Sequence, residues 1–439
     1  LETGALTSIA RDTLATTRAI ESTAVNTFGL SDEPPVFARG EGALLFDERG
    51  ARWIDLVCGS SVTNLGHGNA RIADAIRSIL DTGILHTGTR LPSPPRAALY
   101  EALVELAPDG LDVVHLANSG SEAIEIALKA AQHATGRSEV VAFFGAYHGR
   151  TRGALSVTAS ARARAAFRPF DTAVHFMPYP YGLRPPIPGH SQHTIGDACL
   201  AYLDDALSNP FSGIAPSALI VEAVQGVAGV VIPPLGFLKG LRRICDQHGI
   251  VMILDEIWNG FGRSGLWFAF ERDEVTPDLV VFGKALSGSL PLSGVVGRPE
   301  LLKKWAPGTH TSTFQGNPLA CAAAVASIDD IKSRRLLERT RDQIEPALIE
   351  FGARIEPIGG VAETRCLGAQ AGIELITHDG APDQSRVRAV QARCLRDGVL
   401  VYGGGWHSNV LMLVPPLVIT AEELAEGLGT VECALRASG

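Results

Sequence analysis

Three short stretches place reactive residue types where an apolar run stops. In Asn118-Ser119-Gly120-Ser121-Glu122, which follows the run Val113 to Ala117, Ser119 and Glu122 have the spacing of a capping box. Gly120 lets a ligand approach the backbone closely, and the free amides of a helix start suit a phosphate. Taken alone, this is a well-capped helix. In Leu254-Asp255-Glu256 an acid ends a strongly apolar run, and an ionised carboxylate there is costly unless it meets a cation. A structural salt bridge would satisfy it equally well. In Phe282-Gly283-Lys284-Ala285 a lysine follows the run Leu279 to Phe282. Burial favours the neutral amine, the form that attacks a carbonyl, whereas an ordinary lysine snorkels to solvent.

The elements that must position these residues follow a regular rhythm. Runs at 113–117, 140–144, 218–221, 250–255 and 279–282 read as strands, separated by amphipathic helices such as those at 123–134 and 235–248. That alternation predicts an α/β fold with a mostly parallel sheet covered on both faces. Such sheets bind ligands at the carboxyl ends of their strands, where all three stretches fall. Upstream, 42–47 and 52–56 read as a hairpin behind an arm that ends at Pro34-Pro35. After about residue 310 the texture changes to long helices, 318–350, 383–396 and 421–435, with a few strands between them, which predicts a smaller α+β domain. The expected division is 1–60 as N-terminal arm and hairpin joining the small domain, 61–315 as the large domain, and 316–439 as the C-terminal small domain.

Composition narrows the class of function. Apolar residues form 46% of the 439 and charged residues only 19%, which excludes a disordered chain. A net charge of −9 offers no general attraction to nucleic acid or an anionic bilayer. No apolar run reaches the roughly 18 to 20 residues of a membrane helix. The seven cysteines are odd in number, scattered and never arranged as CxxC, so neither a disulfide framework nor a metal site is expected. His190 and His193 lack companions that would complete a ligand set. No secretory signal pattern is evident, and a cytoplasmic location is expected.

Together the lysine, the acid and the helix start fit one cofactor. Pyridoxal 5′-phosphate needs a lysine for its aldehyde, a carboxylate to keep its ring nitrogen protonated, and a cup for its phosphate. The sequence also resembles the class III aminotransferases of pyridoxal phosphate fold type I, which include acetylornithine, ornithine, 4-aminobutyrate and omega-amino acid enzymes. The resemblance is carried by Asn118-Ser-Gly-Ser-Glu-Ala123, Tyr147-His-Gly149, Ile220-Val-Glu-Ala-Val-Gln-Gly226, Leu254-Asp-Glu-Ile257, Gly260-Phe-Gly-Arg-Ser-Gly265, the stretch Pro277 to Leu286, Thr311-Ser-Thr-Phe-Gln-Gly-Asn-Pro318 and Pro415-Pro-Leu417. In order and spacing these span about residue 36 to the C-terminus.

The resemblance implies that Lys284 forms the Schiff base and that Asp255 pairs with the ring nitrogen. It implies that Gly120 and Ser121 hold the phosphate and Tyr147 lies over the ring. Thr313 would reach the phosphate of a neighbouring subunit, making a homodimer with shared sites. Glu222 would stand beside the substrate, with Gln225 near it. The implied reaction is a ping-pong transfer of an amino group from an amine or amino acid to a 2-oxo acid.

Two departures bear on substrate. Many relatives carry an arginine four residues before the first proline of Pro-Pro-Leu, where this chain has the stretch Leu411-Met412-Leu413-Val414 and no arginine from 401 to 414. A thioether such as that of Met412 cannot replace a bidentate guanidinium. Arg90, His407 and Tyr402 are the alternatives for carboxylate recognition, or the donor needs none there. Glu222 then lacks its balancing partner and either faces a polar or cationic part of the donor, such as a second amine, or bonds only to backbone or water. Trp258 stands where many relatives place a glutamine that bonds to the ring hydroxyl, and either donates one hydrogen bond or narrows the pocket.

Other readings are a racemase or epimerase on the same scaffold and, more remotely, a nicotinamide-dependent oxidoreductase. The second rests on the formal GxGxxG of Gly260 to Gly265, after which no clear amphipathic helix opens.

Overall fold

The computed structural model describes residues 7–170 and 172–438, so the first six residues of the expected arm lie outside the described residues. At its centre is a seven-stranded sheet in the spatial order Val113–Ala117, Ser293–Gly297, Leu279–Phe282, Val251–Asp255, Pro216–Glu222, Glu139–Phe143, Val174–Met177. The five strands from Leu279–Phe282 to Val174–Met177 pair in parallel. Ser293–Gly297 runs antiparallel to both of its neighbours.

Both faces are covered, because neighbouring strand residues point to opposite sides. Val141, Phe143, Leu219, Val221, Met252 and Leu254 pack into one core cluster. Val140, Ala142, Ala218, Ile220, Val251 and Ile253 pack into another, with Ala123, Ile124 and Ala127 of the helix Gly120–Thr135. The apolar runs in the sequence are therefore strands buried on both sides.

Two smaller sheets flank the large one. The hairpin strands Leu44–Asp47 and Arg52–Asp55 pair with each other, and Arg52–Asp55 pairs in parallel with Val399–Leu400, which ties the N-terminal segment to the C-terminal region. Val361–Cys366, Ala371–Leu375, Val410–Leu413 and Tyr402–Gly404 form an antiparallel sheet.

Two elements depart from the sequence reading. The expected continuous helix 318–350 is broken into Pro318–Ser333, Leu336–Arg339, a π-helical turn Thr340–Ile344, and Glu345–Ile355. Arg335 adopts φ +50°, which ends the first helix, and a proline opens the last, where its missing N–H costs nothing. The strand Ser293–Gly297 has no apolar run to announce it. Glycine is needed at 294, where a Cβ would lie 2.6 Å from the His115 carbonyl oxygen.

Candidate active site

Sheet register brings the acids together. Glu222 pairs with Asp255 across adjacent strands, and Asp255 pairs with Val281, three residues before Lys284. The chain leaves Phe282, passes Gly283 and enters a short 3-10 turn, Lys284–Ser287, in which Lys284 takes φ +42°. A left-handed lysine is strained and persists only where its surroundings hold it. Its Nζ lies 4.4 Å from the centroid of the Trp258 ring. Burial lowers the Lys284 pKa to about 8, against the opposing pull of Asp255 and Glu222.

Asp255 is 3% exposed and both of its oxygens are engaged. Oδ1 accepts the Ile257 N–H at 3.0 Å, and Oδ2 lies 2.7 Å from His148 Nδ1. His148 is buried, and its own backbone N–H donates to Thr158 Oγ1 at 2.9 Å. The opposite ring nitrogen, Nε2, has no hydrogen-bond partner among the described residues. Glu222 receives one backbone N–H on each oxygen, from Tyr147 at 2.9 Å and Gly226 at 3.1 Å. Burial, with Asp255 adding to it, pushes the Glu222 carboxyl above its ordinary range, while His148 and the two amides act the other way.

The helix start is built as the capping box predicts. Ser119 Oγ accepts the Glu122 N–H at 3.3 Å, and Glu122 Oε2 accepts the N–H groups of Asn118 and Ser119 at 2.7 and 3.3 Å. Gly120 must be glycine, because a Cβ would lie 2.8 Å from Ile257 Cδ1. Ser121 Oγ accepts the Arg150 N–H at 3.1 Å, and Arg150 Nε donates to the Tyr147 hydroxyl at the same distance. Ser119, Gly120, Ser121, Tyr147, His148, Glu222, Asp255, Trp258 and Lys284 line one cavity of about 200 Å³.

The remaining sequence-derived residues fall elsewhere or take other roles. The Trp258 indole N–H is spent on Gln370 Oε1 at 2.9 Å, Gln370 donates to Asn259 Oδ1 at 3.1 Å, and Asn259 donates to the Val224 carbonyl at 2.8 Å. The ring lies against Gly226, where a Cβ would come within 2.6 Å of it. With its donor committed, Trp258 narrows the cavity and leaves no N–H for a cofactor hydroxyl. Met412 does not reach the cavity lining. It is buried in an apolar cluster with Trp258, Cys58, Val224, Val230, Val410 and Val414. Gln225 turns away to donate to the Phe144 carbonyl at 2.8 Å.

Thr313 is exposed and outside the cavity, although its neighbour Ser312 accepts a hydrogen bond from Asn118 Nδ2 at 2.7 Å. Arg90 and His407 are exposed, and the Tyr402 ring lies 6.3 Å from that of Trp258. In Gly260 to Gly265 no helix opens. Arg263 is fully buried and bonds to the Ala369 and Pro415 carbonyls, which leaves no phosphate cradle there. Residue order did not disclose His148 as the partner of Asp255, nor Thr158, Asn259 and Gln370. Their partners lie up to 112 positions away, and no short motif spans that distance.

The donor set fits pyridoxal phosphate on geometry: a buried amine of lowered pKa, a carboxylate fixed by an imidazole, and a helix start trimmed to glycine, all on one cavity. The family model Aminotransferase class-III matches residues 30–435. The chain is 36% identical to an acetylornithine aminotransferase of Methanopyrus kandleri, covering 92% of this chain and 95% of that protein. It is 34% identical to a diaminobutyrate–2-oxoglutarate aminotransferase of Rhizobium meliloti, covering 92% and 89%. Among solved structures, a thermostable (S)-enantioselective omega-transaminase from Thermomicrobium roseum superposes with a TM-score of 0.90 at 28% identity, covering 98% of this chain and 99% of that one.

Proposed function

The chain belongs to the class III aminotransferases and is a pyridoxal phosphate-dependent enzyme, and from that premise we propose that Lys284 is its catalytic amine and Asp255 the guardian of the cofactor's ring proton. The observation that carries this reading is that Lys284, Asp255, Tyr147 and Ser119 to Ser121, drawn from separate strand ends, line one cavity.

When bound, the cofactor supplies an aldehyde for the amine and a ring that spreads developing negative charge. The protein does the rest. Lys284 Nζ, neutral above pH about 8, would hold the aldehyde. Once freed, the Lys284 amine would be the acid–base group placed to move a proton at the donor carbon. The Asp255 carboxylate would hold a proton at the ring nitrogen, and His148 and the Ile257 amide fix its two oxygens so that little reorganisation would be needed. The first amides of Gly120–Thr135 and the Ser121 hydroxyl receive the phosphate. Tyr147 would stand against the ring, and Trp258 shields the lysine from water. A 2-oxo acid reverses the sequence.

Thr313 is exposed on its own subunit, beside Ser312, which is bonded to the phosphate-binding segment at Asn118. That placement supports a homodimer in which Thr313 reaches the phosphate of a second copy. The parallel pairing of Arg52–Asp55 with Val399–Leu400 supports reading 1–60 and 316–439 as one small lobe against a cofactor-binding lobe of 61–315. All seven cysteines are free thiols, which suits a reducing cytoplasm.

Borohydride reduction of the cofactor-loaded protein, followed by peptide mass analysis, should find the pyridoxyl group on Lys284. Lys284→Ala should lower transfer from an amine to pyruvate by at least the roughly 10²–10⁴-fold that a positioned acid–base group contributes. A tag on another lysine overturns the assignment. Loss of stereochemical purity in an amino acid, without formation of oxo acid, would instead support racemisation.

A further inference from the structure

The described lining of the cavity carries acids but no guanidinium. Glu222 and Asp255 face it, and among the described residues that line it there is no arginine. The only basic side chains there are Lys284, which holds the aldehyde, and His148, which is bound to Asp255. The wall beyond Lys284 is apolar. The one polar atom of Trp258 is committed to Gln370, and Met412, Val224 and Val230 are packed behind it. A carboxylate on the carbon that bears the reacting amine would meet an indole face and the acid of Glu222.

Glu222 offers the opposite. A carboxylate accepts about four hydrogen bonds. Two sites on Glu222 are taken by the Tyr147 and Gly226 amides, one on each oxygen, which fix the group in place. Among the described residues no side-chain donor claims the remaining acceptor capacity, and a buried, half-satisfied acid beside the reacting lysine is matched best by a cation that arrives with the ligand.

We propose that the preferred amino donor is a diamine or polyamine, whose reacting nitrogen sits on a carbon without a carboxylate and whose second, protonated nitrogen is received by Glu222. This names the substrate class of the site described above and rests on the aminotransferase reading.

The test compares cofactor-loaded enzyme on 1,4-diaminobutane, butylamine, 4-aminobutanoate and L-glutamate, with pyruvate as acceptor, and repeats the series with diamines from 1,3-diaminopropane to 1,6-diaminohexane. The best diamine should exceed butylamine and both carboxylates in kcat/KM by roughly 10-fold or more, the worth of one hydrogen bond to a charged group. The difference should lie mainly in KM. In Glu222→Gln the ratio of diamine to monoamine should fall toward one, and in Glu222→Asp, which keeps the charge on a shorter arm, the preferred diamine should lengthen. Preference for either carboxylate donor, or a diamine ratio untouched by Glu222→Gln, overturns the inference while leaving aminotransfer intact. Absence of transfer from every donor overturns both.

Discussion

Two buried glutamates show how the same side chain serves two ends. Glu374, on the strand Ala371–Leu375, is fully buried and accepts hydrogen bonds from the Tyr181 hydroxyl, Arg184 Nε at 2.7 Å, Arg365 Nη1 at 2.9 Å and Asn409 Nδ2 at 3.2 Å. Burial pushes its pKa up, but Tyr181, Arg365 and Arg184 outweigh that and hold it below the ordinary carboxylate value. Glu222 is buried to nearly the same degree, yet it has only two backbone amides and no arginine, and its pKa moves the other way. Glu374, away from the cavity, is saturated by its own chain, although Glu256, equally buried and also away from it, makes do with the Ala269 and Phe270 amides. What sets Glu222 apart is that its spare acceptor capacity opens onto the cavity, at a cost in stability.

The largest effect that would sharpen this contrast is at Glu374. Glu374→Ala takes the carboxylate from Arg184, leaves Arg365 only Glu363 and the Gly229 carbonyl, and should lower stability by about 3–5 kcal/mol in urea unfolding, with kcat/KM per folded molecule unchanged. A variant as stable as the parent would break the comparison. Asp255→Asn should do the reverse. Its kcat should fall by roughly 10²–10³-fold in single-turnover assays, with little change in the urea midpoint.

A smaller effect is expected in cofactor capture. The lowered Lys284 pKa leaves the amine protonated below about 8 and free above it. The rate at which cofactor-free protein takes up pyridoxal phosphate should therefore rise about tenfold from pH 7 to pH 9, as the neutral fraction does. An ordinary lysine would keep gaining well beyond pH 9. The smallest effect belongs to Glu222. Its folded-state pKa lies above the unfolded value, so the stability it contributes is complete at acid pH and is lost as pH rises through the raised range. Glu222→Gln should remove that loss and gain about 0.5–2 kcal/mol at pH 8, read as a higher Tm. A destabilised variant would place Glu222 in the same class as Glu374.

Much of the frame was legible in the residue order. The strands at 113–117 and 279–282 and the capping box at Ser119 and Glu122 lie where the sequence implies, because each is specified by neighbours along the chain. The broken helix after Ser333 and the strand Ser293–Gly297 were not legible. The strand answers to packing at Gly294 against the His115 carbonyl, and the helix breaks at a positive φ on Arg335, a residue type that does not announce one. Trp258 could be seen to replace a smaller polar group, but not that its N–H would be taken by Gln370, 112 positions on.

What the sequence determined by itself was the chemistry available: a lysine, an acid and a phosphate-ready helix start, each at the end of an apolar run. The tertiary structure decided which of these groups are satisfied. Through the register of Glu222 against Asp255 it set the two acids side by side, gave His148 to one of them, and left the other only backbone amides. Burial and hydrogen-bond partners set the charge state of such groups, and both arise from contacts between residues far apart in the chain.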